Sequence, residues 1–338
     1  MKKYYPILLS KAGELSALSK LDLITKNEVT PILQVLSGSI KKIENFHSHW
    51  NFKDNELFLD FSLMDPFSHI TILNLIQHLQ SNGVNVVPVI PQNSNQRYIQ
   101  MIASLVSAQQ LDRVCIRFSN DSGGFLNIDT TIISLTGVLG LNRNQISILL
   151  DFGLIGLTNH ALTATIASNL IDSITNRGDY ENIIVSSGSF LDNLGTLNPA
   201  GIVYKLPRYE WLIWLTLQSQ TKIGGTIKYS DYGTKHPVYS EVNFQGSCSI
   251  KYSTINDYMI YRGEISKNHI DGNGQYIRFA SQLIISPAYS GSTFSFGDQQ
   301  INYYAGQIVS NPNRKTGNAG SWVEISQNHH ITLLASIL

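Results

Sequence analysis

Three aspartates stand at or near the ends of short apolar runs: Asp60 after Leu57-Phe58-Leu59, Asp151 after Ile148-Leu149-Leu150, and Asp231 after Lys228-Tyr229-Ser230. Two cations hold comparable places, Lys11 beyond Ile7-Leu8-Leu9 and Arg117 inside Arg113-Val114-Cys115-Ile116-Arg117-Phe118. Gln34 ends another such run, and Ser186-Ser187-Gly188-Ser189 makes a small polar turn. Carboxylates gathered beside cations suit general acid–base work or Mg²⁺ ligation. An arginine offers a planar fork to phosphate or carboxylate. The expected site is therefore a polar pocket. In it Asp60, Asp151 and Asp231 act as acid, base or Mg²⁺ ligand, while Lys11, Glu14, Arg117, Ser187 and Lys228 bind a small anionic ligand. The competing reading is a set of internal salt bridges, because unpaired buried charge is costly.

Two further stretches carry chemistry-bearing groups. His329 and His330 are neighbours in an apolar, helical pattern. Adjacent residues on a helix point about 100° apart, so the pair does not share one metal. His330 is expected to serve as a proton shuttle while its neighbour packs. No HExxH pattern is present, and His47 and His49, alternating about Ser48, lack cysteine or acidic partners at ligand spacing, so zinc is not expected. Arg262 lies between Tyr261 and Gly263 in a charge-poor aromatic segment. A cation so placed recognises phosphate or stacks on a base, and Tyr229, Tyr232, Tyr258, Tyr261, Phe294 and Phe296 would supply surfaces; the alternative is an aromatic core.

The elements that must position these residues alternate. Apolar runs predict strands at 5–9, 29–36, 57–61, 84–91, 113–118, 146–153, 182–189 and 225–230. Helical patterns lie between most of them, at 67–81 (Ile70, Leu73, Ile76, Leu79), 96–110, 129–139, 160–175 (Leu162, Ile166, Leu170, Ile174) and 208–219. Pro88 predicts a bent ladder in the fourth strand. Residues 38–56 read as an irregular surface loop anchored by Trp50. Strands alternating with helices mean βαβ units and a parallel sheet, and strands apolar throughout mean both faces are covered. Eight units over 1–232 fit an α/β fold of the (β/α)8, TIM-like class, in which sites gather at the carboxyl ends of the strands. The open, doubly wound alternative wants a glycine-rich first turn, and Ser10-Lys11-Ala12-Gly13-Glu14 is not one. From 233 to 338 the pattern changes. A polar stretch precedes a strand at Asp257–Gly263, a closing helix at 275–286, a Gly/Asn/Ser-rich segment and an apolar helix from His329 to Leu338 that is expected to dock on the barrel wall. This second part reads as an extension at the barrel mouth.

Composition removes several classes. Charged residues make up only 14% of the 338, against 43% hydrophobic, and the net charge is zero. No field steers the whole chain toward nucleic acid, although a local basic patch is compatible with these numbers. Cys115 and Cys248 are too few for a disulfide framework, and Cys115 sits in an apolar run as a buried thiol. No run approaches the length of a membrane span and the start is no signal peptide, so the expectation is a cytoplasmic protein without a membrane partner.

The opening YYPILLSKAGELSAL, the YRG around Arg262, Phe294-Ser295-Phe296-Gly297-Asp298 and the closing SWVEISQNHHITLL occur in an order that resembles the phage-type beta protein family, from Lys11 to His330. Where the family's FSWGD-like motif has Trp, this chain has Phe296, which makes that position a site of packing or stacking. The resemblance implies a setting in tailed phages or bacterial defence islands and carries no established reaction. Two functions follow as expectations. One is a barrel that binds a phosphorylated or nucleotide-like ligand at its carboxyl rim and hydrolyses it. The other is a non-catalytic phage–host module whose Tyr- and Asn-rich mouth grips a partner protein.

Overall fold

The computed structural model describes residues 3–53, 55–65, 68–120, 124–241 and 246–338. The sequence Asp121-Ser122-Gly123-Gly124 after the fifth strand reads as a glycine-rich turn, and its first three residues lie outside them. In chain order the elements are β1 (Ile7–Leu9), α1 (Ala12–Ser19), α2 (Leu23–Glu28), β2 (Ile32–Gln34), α3 (Ile40–Trp50), β3 (Glu56–Asp60), α4 (His69–Ser81), β4 (Asn85–Pro91), α5 (Gln96–Ser107), β5 (Val114–Ser119) and α6 (Ile128–Leu139). They continue as β6 (Ile146–Leu154), α7 (His160–Ser173), β7 (Asn182–Gly188), β8 (Val203–Pro207), α8 (Tyr209–Gln218), β9 (Ile227–Ser230), β10 (Ile250–Ser253), β11 (Asp257–Tyr261), α9 (Gln275–Ile284), α10 (Phe296–Ala305) and α11 (Ala319–Ile337).

They form two compact units. The first comprises Met1–Lys11, Asn27–Gly188 and Tyr209–Tyr232. Its strands run parallel in the order β1-β2-β3-β4-β5-β6-β7-β9. The sheet closes on itself: the Tyr5 amide donates to the Tyr229 carbonyl at 2.8 Å and the Ile7 amide to the Asp231 carbonyl at 2.7 Å. This is the expected (β/α)8 barrel. Strand pleating sends alternate residues inward, and Tyr5, Ile7, Ile32, Phe58, Val87, Val89, Cys115, Leu149, Ile184 and Tyr232 fill the interior as one apolar cluster. At the amino ends of the strands Arg113 pairs with Glu56, and Glu181 lies 3.9 Å from the same guanidinium. β4 meets β5 only from Val89↔Cys115 onward, so the ladder begins just past Pro88, which has no N–H to give.

Three sequence expectations for this unit change. Residues 40–50 are a helix, not a loop: Ile43, Phe46 and Trp50 lie on one buried face, and the Trp50 indole donates to the Glu56 carbonyl at 3.0 Å. His47 and His49 therefore do not share a strand face. In α4 the buried stripe is Ile72, Leu75, Ile76 and Leu79, while Ile70 is exposed. In α7 the buried residues are Thr163, Ala164, Ala167 and Ile171, and Leu162 and Ile166 face outward. There the helix turns its small side chains inward, which simple apolar periodicity does not reveal.

The second unit comprises Ala12–Lys26, Ser189–Arg208 and Gly233–Leu338. A three-stranded antiparallel sheet, β10-β11-β8, forms its centre. One sheet face packs Ile250, Tyr252 and Tyr261 with Phe279, Leu283, Trp322 and Ile325. The opposite face carries Tyr258 and Ile260 against Phe190. The sequence reading did not anticipate β8, β10 or α10, and it placed the start of α11 too late. α10 lies inside the segment read as irregular, and α11 starts ten residues before His329, at a capping box of Asn318 and Ser321.

Candidate functional site

At the carboxyl ends of the barrel strands the interior turns polar. Asp60 ends β3, Arg117 lies near the end of β5 and Asp151 lies in β6; all three are at most 7% exposed. Arg117 donates through Nη1 to Asp60 Oδ2 at 2.5 Å and through Nε and Nη2 to Asp151 Oδ2 at 3.0 and 2.5 Å. The Tyr232 hydroxyl donates to the same Asp151 oxygen at 2.5 Å. Each carboxylate is fixed from behind by the amide two residues on, Ser62 to Asp60 Oδ1 at 2.9 Å and Gly153 to Asp151 Oδ1 at 3.0 Å. Such local turns are what aspartates favour. The one at Asp151 needs Gly153 at φ +63°, where the β6–β7 register shifts.

Burial works against the Arg117 charge, but Asp151 and Asp60, with Tyr232, outweigh it and hold the guanidinium well above its ordinary range. Burial, then Asp151, pushes the Tyr232 phenol well up. By formal charge the lattice has two carboxylates for one guanidinium. Arg117 is thus committed to carboxylates of its own chain and does not present an open fork to an anion.

Across the same layer Ser119, Asp151, Ser186 and Ser230 are register partners on β5, β6, β7 and β9. Ser186 is 0% and Ser230 1% exposed. Their hydroxyls have no hydrogen-bond partner among the described residues. The pleat that points Ile184 and Tyr232 inward points both serines inward too.

The remaining expected residues divide. Asp231 is fully buried but is turned by the pleat to the outer side of the wall, where the Tyr4 and Tyr229 hydroxyls donate to it at 2.6 and 3.0 Å. It does not join Asp60 and Asp151. Lys228 is paired in register with Ile184, and its neighbouring charge is Lys3, so it belongs to the amino end of the strands and not the rim. Lys228 is the second residue of the four-residue β9, three positions before Asp231, about 10 Å along the strand. Ser187 faces the opposite way to Ser186. Lys11 is solvent-exposed just beyond β1.

Glu14, Arg262 and His330 belong to the second unit. Glu14 is buried in the first turn of α1. Arg262 donates through Nε to the Leu194 carbonyl at 2.8 Å, and its buried Nη1 has no partner among the described residues. His330 Nδ1 lies 2.7 Å from Ser253 Oγ, both groups buried. The histidine–carboxylate contact belongs to its neighbour. His329 Nδ1 meets Asp298 Oδ2 at 2.8 Å and Nε2 meets the Ser253 carbonyl at 2.9 Å. Tyr252 and Ser295 also donate to Asp298, at 2.8 and 2.6 Å.

Among the described residues no group of three or more His, Cys, Asp or Glu is arranged to hold a metal ion, and no helix is long and apolar enough to cross a membrane.

A closed parallel barrel with a buried acid–arginine lattice at the carboxyl ends of its strands defines an α/β-barrel protein. The chain belongs to the Beta protein family, whose sequence profile matches residues 4–336. No curated protein matches it. Among solved structures it is similar to a GH128 (subgroup I) endo-beta-1,3-glucanase from Amycolatopsis mediterranei in complex with laminaritriose, at 12% identity and a TM-score of 0.35 over 55% of this chain and 88% of that one. It is also similar to a type I 3-dehydroquinate dehydratase from Clostridium difficile carrying covalently modified comenic acid, at 12% identity and a TM-score of 0.39 over 71% and 88%.

Proposed function

We propose that the carboxyl-end interior of the barrel binds a small, uncharged, hydroxyl-rich ligand, in the phage or defence-island setting that the family resemblance implies. The supporting observation is the pair of buried serine hydroxyls, Ser186 and Ser230, in register beside Asp151 and without partners. An unsatisfied buried hydroxyl costs about 1–3 kcal/mol, so the pair favours a polar guest that can bond to both. Ligand hydroxyls would donate to the outer lone pairs of Asp60 and Asp151 and accept from the serines. A phosphorylated ligand, the sequence-based expectation, would face two carboxylates whose one cation is already engaged.

The test is a thermal-shift panel of neutral polyols and monosaccharides, sugar phosphates and nucleotides, with and without Mg²⁺. A ligand at 100 times its dissociation constant adds about 2.7 kcal/mol, a rise of roughly 5 °C for a chain of this size. The expected result is a rise with a neutral ligand that disappears in the Ser186→Ala/Ser230→Ala variant. Shifts from phosphorylated ligands alone would overturn this reading. A flat panel would also overturn it and leave the partner-binding module as the function to pursue.

A further inference from the structure

Lys251 was not singled out by any motif, and the second unit gives it an unusual position. The β10–β11 register pairs Lys251 with Ile260 and Ser253 with Tyr258. Paired residues share a sheet face, so Lys251 stands on the face that carries the Phe190–Tyr258–Ile260 cluster. Its ammonium lies 4.5 Å from the centroid of the Phe190 ring. Its hydrogen bond goes to a backbone carbonyl, that of Thr234, at 3.0 Å. Among the described residues it makes no ion pair. Glu14 is the charged group that bears on it.

We propose that Lys251 is a reactive amine that captures carbonyl compounds as an imine. A lysine placed on apolar surface without a carboxylate loses the solvation that keeps it protonated, and a desolvated amine is how proteins make lysine nucleophilic. Burial accordingly lowers this ammonium to about 8, with Glu14 pulling the other way. In the step itself the ammonium first gives up a proton. The nitrogen lone pair then adds to the carbonyl carbon and the C–O π bond breaks to give a carbinolamine. Loss of the oxygen as water leaves the C=N bond. No oxidant or reductant is consumed. Phe190 would lie against the apolar part of the bound carbonyl compound.

The experiment uses the wild-type chain, so it does not depend on a variant folding. The protein is incubated with propanal and sodium cyanoborohydride, whose hydride reduces the imine to a stable secondary amine. Peptide mass spectrometry then gives a modification rate for every lysine at several pH values. Lys251 is expected to react about tenfold faster than the exposed lysines at pH 7.5. Its rate should level off just above pH 8, and its advantage should vanish in guanidinium chloride. A Lys251 rate no greater than that of Lys11 or Lys20 would overturn the proposal. So would a rate that keeps rising to pH 10, or a preference that survives unfolding.

Discussion

Arg117→Met would leave Asp60 and Asp151 turned toward each other with no cation between them. Breaking a buried pair from one side costs about 3–5 kcal/mol, whereas replacing the whole set with uncharged groups costs far less. Urea denaturation should therefore show a large loss for Arg117→Met and recovery of much of it in Asp60→Asn/Arg117→Met/Asp151→Asn. A single-variant loss below about 1 kcal/mol would mean the lattice is hydrated. Ser186→Ala/Ser230→Ala should leave the unliganded protein as stable as before or more so, because it removes two unsatisfied hydroxyls. Lys251 gives a pH signature. Its folded pKa of about 8 lies below the 10.5 of the free side chain, so between these values the unfolded chain binds more protons and stability rises with pH. Lys251→Met abolishes that slope. Relative to wild type the variant's stability should fall by roughly 2 kcal/mol between pH 7 and 10, a figure discounted for the partial exposure of the lysine. At this scale the sequence showed Asp60, Arg117 and Asp151 through their positions at strand ends. It could not show Lys251, because its surroundings come from Phe190, Thr234 and Ile260, residues that the fold alone brings together.

The elements explain what the family motifs do. In Phe294-Ser295-Phe296-Gly297-Asp298, Ser295 caps α10 by accepting from the Asp298 amide at 3.0 Å. Gly297 lets α10 approach α11 so closely that a Cβ there would lie 2.4 Å from the Ile325 carbonyl oxygen. Asp298 receives His329, and Asn328 accepts from the Gly297 amide at 2.8 Å. The two motifs are thus halves of one helix–helix joint, and their residue types follow from packing and buried hydrogen bonds. Gly297→Ala should cost about 2–4 kcal/mol in thermal or urea unfolding, since backbone oxygen cannot yield as a flexible side chain can. A loss under 0.5 kcal/mol would show that the helices slide apart easily. The barrel strands were legible to within a few residues because they are apolar on both faces. α3 and α10 were not, since their apolar residues are diluted by His, Asn, Gln and Tyr and their burial is set by tertiary packing.

For the whole molecule, the alternation of strands and helices was enough to identify the barrel, because few architectures accept eight βαβ repeats. The course of residues 12–26 and 189–208 was not legible. Both lie in the second unit although the chain order places them among barrel segments, and no local pattern records such long-range grouping. A net charge of zero and a pI near 7.1 leave little electrostatic repulsion between molecules at neutral pH. Light scattering at constant protein concentration should therefore report more self-association at pH 7 than at pH 9, reversed by neither reductant nor chelator.

Pro88 bears on how the barrel comes apart. Residues 85–88 of β4 are held by β3 on one side and have no β5 ladder on the other. β4 and β5 are joined by three residue pairs, all beyond Pro88, so this stave is fastened to its neighbour only along its upper half. Deuterium should enter the amides flanking that joint first, and a new pair of chain ends should be tolerated there better than between β5 and β6, where six consecutive residue pairs are in register.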